Sequence, residues 1–316
     1  MNAPTLQDIR QAALRIAPVV HWTPVLTSRG LDVLCGARVT FKCENFQRTG
    51  SFKIRGASNA ITQLTDEQAK RGVVTHSSGN HASAVACAAS QRGIPSYIVM
   101  PDNAPQAKLD TAAGFGGQIH LCEPVLEARQ AMVDEIQART GAAMVHPYDN
   151  EHVIAGQGTA ALELLEEISD LDVVSVPVSG GGLLSGTAIA ARSLSPELQV
   201  FGAEPARADD AFRSIHSGKL EPLGKADTIA DGLRANLCER TLGIIRSQVT
   251  DILTVEEEAI IEAMKLIWQY LKIIVEPSGA VPFAMVLSHR ARFAGRRVGL
   301  ILTGGNLDLD KLPWQR

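Results

Sequence analysis

Hydrophobic and polar positions along this chain form short apolar runs that alternate with longer stretches of helical spacing. Leu6–Ala17 carries apolar residues at helical intervals and stops before Pro18, which predicts a first helix. His21-Trp22-Thr23-Pro24 reads as an extended entry, because the residue before a proline avoids the α region. Val39–Cys43 alternates and predicts a strand, with a helix over Arg55–Leu64. A repeating pattern follows: strand Gly72–His76, turn Ser77–His81, helix Ala82–Arg92, strand Tyr97–Met100, helix Ala104–Ala113. It continues with strand Gln118–Leu121, helix Leu126–Thr140 and strand Ala143–Val145. Beyond Asn150 come helix Gly158–Ile168, strand Val173–Val178, helix Leu183–Ser193 and strand Gln199–Ala203. The last elements are strand Ile252–Thr254, helices Glu256–Leu271 and Pro282–Arg292, and strand Arg297–Leu302. Glu163, Glu166 and Glu167 read as a solvated helix face. Strands alternating with helices mean βαβ units and a mostly parallel sheet, here as two α/β lobes with a cleft between them.

Composition narrows the classes. With 316 residues, 45% of them hydrophobic and 20% charged, the chain can bury a substantial core in roughly two domains. A net charge of −4 gives no electrostatic footprint for nucleic acid or an anionic membrane. The five cysteines are scattered without a C-x-x-C pair, so neither a disulfide framework nor a zinc site is indicated. Met1–Arg10 lacks an apolar segment and no run reaches spanning length, so a cytoplasmic location is expected.

Candidate chemistry centres on Thr49-Gly50-Ser51-Phe52-Lys53-Ile54-Arg55-Gly56. A lysine among apolar neighbours has its ammonium form disfavoured, and the neutral amine can form a Schiff base with an aldehyde. A surface lysine with a solvated tip is the plain alternative. Ser179-Gly180-Gly181-Gly182-Leu183 follows a strand and opens a helix, an arrangement that suits phosphate. Its spacing is neither that of a dinucleotide turn nor of a triphosphate loop, and a compact monophosphate fits better; close packing is the other use of such a run. Ser77-Ser78-Gly79-Asn80-His81 and Thr303-Gly304-Gly305-Asn306 also end strands, where open-sheet sites lie. Glu204 and Asp210, with a loop carbonyl such as that of Ala208, offer hard oxygens for Mg²⁺ or Ca²⁺, or a merely solvated acidic loop.

Together with Ala155-Gly156-Gln157-Gly158-Thr159, these windows resemble the fold-type II pyridoxal-phosphate (PLP) enzymes. Within that family the chain is most similar to the serine racemase and serine/threonine dehydratase branch, from about Thr23 to Leu309. The resemblance implies a tryptophan synthase β-like α/β fold: two open twisted domains with the cofactor in the cleft. Residues 1–65 plus 151–316 would form the large PLP-binding domain and 66–150 a small mobile one. It implies that Lys53 holds PLP, that Phe52 lies beside its ring, and that Asn80 bonds the ring oxygen. Ser179, Gly180, Gly181, Gly182 and Leu183 would cradle the phosphate, with Ser179 standing where the family usually has Gly. Thr303 would face the pyridine nitrogen.

Ser77, Ser78, Asn80 and His81 would grip the substrate carboxylate. Lys53 and Ser78 would be the acid–base pair on opposite faces. Arg129 would meet a second substrate carboxylate, or is a solvated helix residue. Glu204, Ala208 and Asp210 would hold Mg²⁺ (or Ca²⁺ or Mn²⁺). Asn306, Lys272 and Thr49 match positions that bind ATP in some racemases, whereas Arg29 and Tyr148 depart from that pattern. The implied activity is dehydration of a β-hydroxy amino acid (L-serine, L-threonine or 3-hydroxyaspartate) by a homodimer, with amino-acid racemisation as the alternative.

Overall fold

The computed structural model describes residues 3–315 apart from Ser78 and Pro105. Its strands are β1 (Val25–Thr27), β2 (Arg38–Cys43), β3 (Val73–His76), β4 (Ser96–Pro101), β5 (Gln118–Cys122), β6 (Ala143–Met144), β7 (Val173–Pro177), β8 (Gln199–Pro205), β9 (Asp251–Val255) and β10 (Arg297–Leu302). They form two sheets, ordered β1-β2-β10-β7-β8-β9 and β5-β4-β3-β6. All pairings are parallel except β1 with β2. The architecture is thus the expected pair of open α/β sheets.

The apolar runs are continuous because both faces of each sheet are covered. In the larger sheet Val173, Phe201, Val298 and Leu300 point into one core cluster, with the Phe41 and Phe283 rings edge-to-face at 5.3 Å. Val174, Val176, Val200 and Ile301, one residue out of phase, point into the other. The smaller sheet repeats the two-residue alternation: Val73 and Ile98 face one cluster, Val74 and Val99 the other. Cys35, Cys43, Cys87, Cys122 and Cys238 are all free thiols. Among the described residues no helix is long and apolar enough to cross a membrane.

Several boundaries move, each for a local reason. The helix expected from Gly158 runs over Glu151–Glu167, because the Asn150 side chain accepts from the N–H groups of His152 and Val153. The helix expected from Pro282 runs over Pro277–Ser288: Pro277 occupies the first turn, where no N–H is needed, and Pro282 lies inside. The helix after the lysine motif is Lys53–Thr62, so Lys53 is its first residue. The helix expected over Ala82–Arg92 begins at Asn80. Helices at Arg29–Cys35, Asp66–Arg71, Asp210–Ser217 and Glu239–Gln248 were not expected from periodicity. Glu163 is a correction. It is 7% exposed and faces the core, whereas Glu166 and Glu167 are exposed.

Candidate active site

The carboxyl ends of β3 and β6 in one sheet meet those of β7 and β10 in the other: Asn80 after β3 bonds Asn306 after β10, and Tyr148 after β6 lies on Gly180 after β7. The lysine segment is tied to the end of β10. Phe52 N donates to Thr303 O at 3.0 Å, Gly305 N donates to Gly50 O at 3.0 Å, and Ser51 bridges Gly304. Lys53 Nζ donates to Pro147 O at 3.2 Å and sits 5.1 Å from the centre of the Phe52 ring. Burial lowers its amine to about 8, against the opposing pull of Glu276. Lys53 therefore approaches neutrality near physiological pH, as a Schiff-base lysine requires.

The cradle lies across the same segment. Gly181 adopts φ +85°, which favours glycine. A Cβ at Gly180 would fall 2.2 Å from the Tyr148 ring, so the backbone approaches that ring as only glycine allows. Gly182 starts the helix Gly182–Leu194, and Leu183 follows it in the first turn. Backbone N–H groups at a helix start favour an anion. A bare backbone loop beside a depressed lysine is the donor set that PLP needs. Ser179 adds no free hydroxyl to it: its Oγ donates to Ala235 O at 3.1 Å and accepts from Ala235 N at 2.9 Å.

From β3, Asn80 Nδ2 donates to Glu276 Oε1 at 2.8 Å and its Oδ1 accepts from Asn306 Nδ2 at 2.9 Å. Glu276 was missed by the sequence reading. It is buried, with its carboxyl pushed up to about 8 by burial and by Asp231, and it also accepts from Asn306 N. A Glu-Pro-Ser-Gly helix start is its only sequence signal. His81 bonds Val145 O through Nε2 at 2.9 Å, leaving Nδ1 buried without a partner. Burial, with help from Lys53, lowers its imidazole to about 3. Burial and His76 lower that of His146 to about 4. Both rings are therefore neutral. His146 Nδ1 accepts from Asp149 N at 2.8 Å, which puts its proton on Nε2. Ser77 Oγ accepts from Gly79 N at 3.3 Å. Ser78 lies outside the described residues.

Arg129, on the helix Leu126–Thr140, is half-buried beside His76, and its Nε is buried without a partner. Thr303 directly follows β10 and is 2% exposed.

Below the lysine helix lies a buried ion cluster that the sequence reading did not foresee. Arg55 Nε and Nη2 donate to Glu44 at 2.7 and 2.8 Å. Its Nη1 and Nη2 donate to Glu163 at 2.6 and 2.8 Å. Lys42 Nζ reaches Glu163 at 2.7 Å and Thr23 O at 2.8 Å.

Away from the cleft, Glu204 Oε1 and Oε2 accept from Ala211 N at 3.0 Å and Phe212 N at 2.8 Å, and Asp210 Oδ2 accepts from Leu237 N at 3.3 Å. Both carboxylates and Ala208 are buried. Burial raises Glu204 well above its usual range, with Asp210 adding to it, and raises Asp210 to about 6. Two buried carboxylates beside a carbonyl suit a hard cation. Among the described residues no three His, Cys, Asp or Glu side chains group as ligands, so the cation would rest on this smaller set.

Comparison with known proteins agrees with this geometry. The chain is 50% identical over 314 residues to the beta-hydroxyaspartate dehydratase of Paracoccus denitrificans, covering 99% of this chain and 100% of that one. It is 45% identical over 312 residues to the L-threo-3-hydroxyaspartate ammonia-lyase of Saccharomyces cerevisiae, covering 98% and 96%. Its fold superposes on maize serine racemase with a TM-score of 0.96 at 46% identity, covering 98% of this chain and 95% of that one. Residues 16–304 match the family model described as pyridoxal-phosphate dependent enzyme, and the chain belongs to that family.

Proposed function

We propose that the protein is a PLP-dependent ammonia-lyase that dehydrates 3-hydroxyaspartate to a 2-oxo acid and ammonia. The observation that carries the enzyme assignment is the half-buried Lys53, whose Nζ donates to Pro147 O, one residue before the Tyr148 ring that the Gly180–Gly182 backbone meets. The substrate assignment rests on Arg129, whose Nε is buried without a partner and whose charge acts on His76 at the end of β3. A guanidinium there suits the second carboxylate of a dicarboxylic amino acid. The hydroxyaspartate-acting relatives agree with this.

Bound in the cleft, PLP supplies an aldehyde for the substrate amine and an electron sink for charge developing at Cα. The protein does the rest. Gly180, Gly181 and Gly182 present N–H groups to the phosphate, Leu183 continues that turn, Asn80 addresses the ring oxygen, and Phe52 and Thr303 flank the ring. Ser77, Ser78 and Asn80, with the backbone N–H of His81, hold the α-carboxylate. Lys53 Nζ, in its neutral form, takes the Cα proton. Loss of the β-hydroxyl as water and hydrolytic release of the amino nitrogen then give the 2-oxo acid and ammonia. A second acid–base at Ser78 would allow racemisation as a second outcome, a reading supported by the similarity to maize serine racemase.

Residues 66–150 act as the mobile domain and 1–65 plus 151–316 as the fixed one. Glu204, Ala208 and Asp210 hold Mg²⁺ in a cytoplasmic homodimer. Incubating purified protein with 3-hydroxyaspartate, L-serine and L-threonine, with keto-acid, ammonia and enantiomer readouts, tests the assignment. Oxo acid should form fastest from 3-hydroxyaspartate. No oxo acid from any of the three rejects the lyase, and D-isomer accumulating faster than oxo acid favours the racemase.

A further inference from the structure

The segment 235–241 lies between the Glu204–Asp210 loop and the glycine cradle, and it is bonded to both. At the cradle, Ser179 Oγ accepts from Ala235 N and donates to Ala235 O, at 2.9 and 3.1 Å. A serine hydroxyl has one hydrogen. Here it goes to the Ala235 carbonyl, so the side chain faces the segment and not the anion. Two residues on, Leu237 N donates to Asp210 Oδ2 at 3.3 Å. The Leu237 side chain also packs on the cradle, where a Cβ at Gly181 would lie 2.8 Å from its Cδ2. Asp210 is in turn fixed from behind, because Glu204 holds the N–H groups of Ala211 and Phe212. A continuous path therefore runs from Glu204 and Asp210 through Leu237 and Ala235 to Ser179 and Gly181.

That path has a physical consequence. Without a cation, Asp210 lies buried close to Glu204, and the bond from Leu237 N to its Oδ2, at 3.3 Å, is what ties it to the segment. A cation would hold Asp210 and its bond to Leu237, and hence the position of Ala235. We propose that Ser179 is a positioning residue: through its paired bonds with Ala235 it transmits divalent-cation binding at Glu204 and Asp210 to the phosphate cradle, so that the cation and PLP bind with positive coupling. The proposal rests on the cation and PLP assignments above, and it does not depend on which amino acid the enzyme consumes. Linkage makes the coupling reciprocal: PLP must tighten the cation by the factor by which the cation tightens PLP.

The test is a binding measurement. Full-length protein stripped of PLP and metal is titrated with PLP, followed by cofactor fluorescence and absorbance, in Mg²⁺ or in EDTA. This is done for wild type, Ser179→Gly, Ser179→Ala and Ser179→Thr, with Mg²⁺ affinity measured separately by calorimetry. In wild type, Mg²⁺ should tighten PLP by about fivefold or more, within the usual range of coupling between sites. The factor should fall close to one in Ser179→Gly and Ser179→Ala, while Mg²⁺ still binds. Ser179→Thr, which keeps the hydroxyl, should retain most of it. A wild-type factor of one, or an undiminished factor in both Ser179→Gly and Ser179→Ala, overturns the proposal. Because turnover is not read, either result is independent of the lyase assignment.

Discussion

The amine of Lys53 donates to the carbonyl of Pro147, 94 positions away, at 3.2 Å. The reactive group is thus oriented by the strand-end segment after β6 as well as by its own helix. With its amine lowered to about 8, chiefly by burial, Lys53 is mostly neutral above that pH and loses about tenfold of its neutral form per unit below it. The rate at which PLP-free protein captures PLP should therefore rise with pH and level off above about 8. A rate still climbing tenfold per unit at pH 10 would place the amine at an ordinary lysine value instead.

Lys53→Ala should lower turnover by roughly 10³-fold or more, because the same nitrogen holds the cofactor and moves the Cα proton. The variant should still retain PLP through the cradle without a covalent link. Hydride reduction followed by mass measurement checks this: wild type gains the cofactor mass irreversibly, and the variant does not.

At Gly180 the constraint is steric. An added Cβ would meet the Tyr148 ring at 2.2 Å, so Gly180→Ala must push the loop or the ring aside. PLP affinity should drop by about tenfold or more, a cost of ~1.4 kcal/mol on the phosphate contacts. A fluorescence titration reads it directly, and an unchanged affinity would mean that Tyr148 yields freely.

Arg129→Met should separate substrates. A charge-assisted bond to a carboxylate is worth about 1.5–3 kcal/mol, which corresponds to a loss of about 10–150-fold in kcat/KM for 3-hydroxyaspartate. L-Serine lacks the second carboxylate and should be affected far less. Equal losses on both would assign Arg129 a structural role.

The ion cluster beneath the helix gives a stability prediction. Glu44→Ala leaves Arg55 buried with half of its carboxylate partners gone, which costs about 3–5 kcal/mol. Urea unfolding should show a lower midpoint with little change in slope.

The sheet architecture was legible because short β-branched runs alternate with Ala-rich helices, and parallel strands buried on both faces leave that trace. The cradle and the lysine were legible because glycine runs and a lysine in apolar company are local signals. Glu163 was misread because a helix surface looks alike from sequence whether it meets water or Arg55. The partners of Glu163, Arg55 and Lys42, lie more than a hundred positions away in the chain. Glu276 escaped because its value comes from Asn80 and Asn306, brought to it by the tertiary fold. That Ala235 takes the Ser179 hydroxyl was not legible, because the two lie 56 positions apart in the chain. Helices such as Arg29–Cys35 and Asp66–Arg71 are too short for periodicity to register.

Arg55 engages both oxygens of Glu44 and both of Glu163, and Lys42 draws on the second of these carboxylates. No member of the set can change alone without stranding a charge that has no water to turn to. Drift at these positions should therefore be concerted: single replacements are purged, while a simultaneous exchange to apolar side chains of matching volume is tolerated. Lys42, Glu44, Arg55 and Glu163 would then vary as a block across related chains.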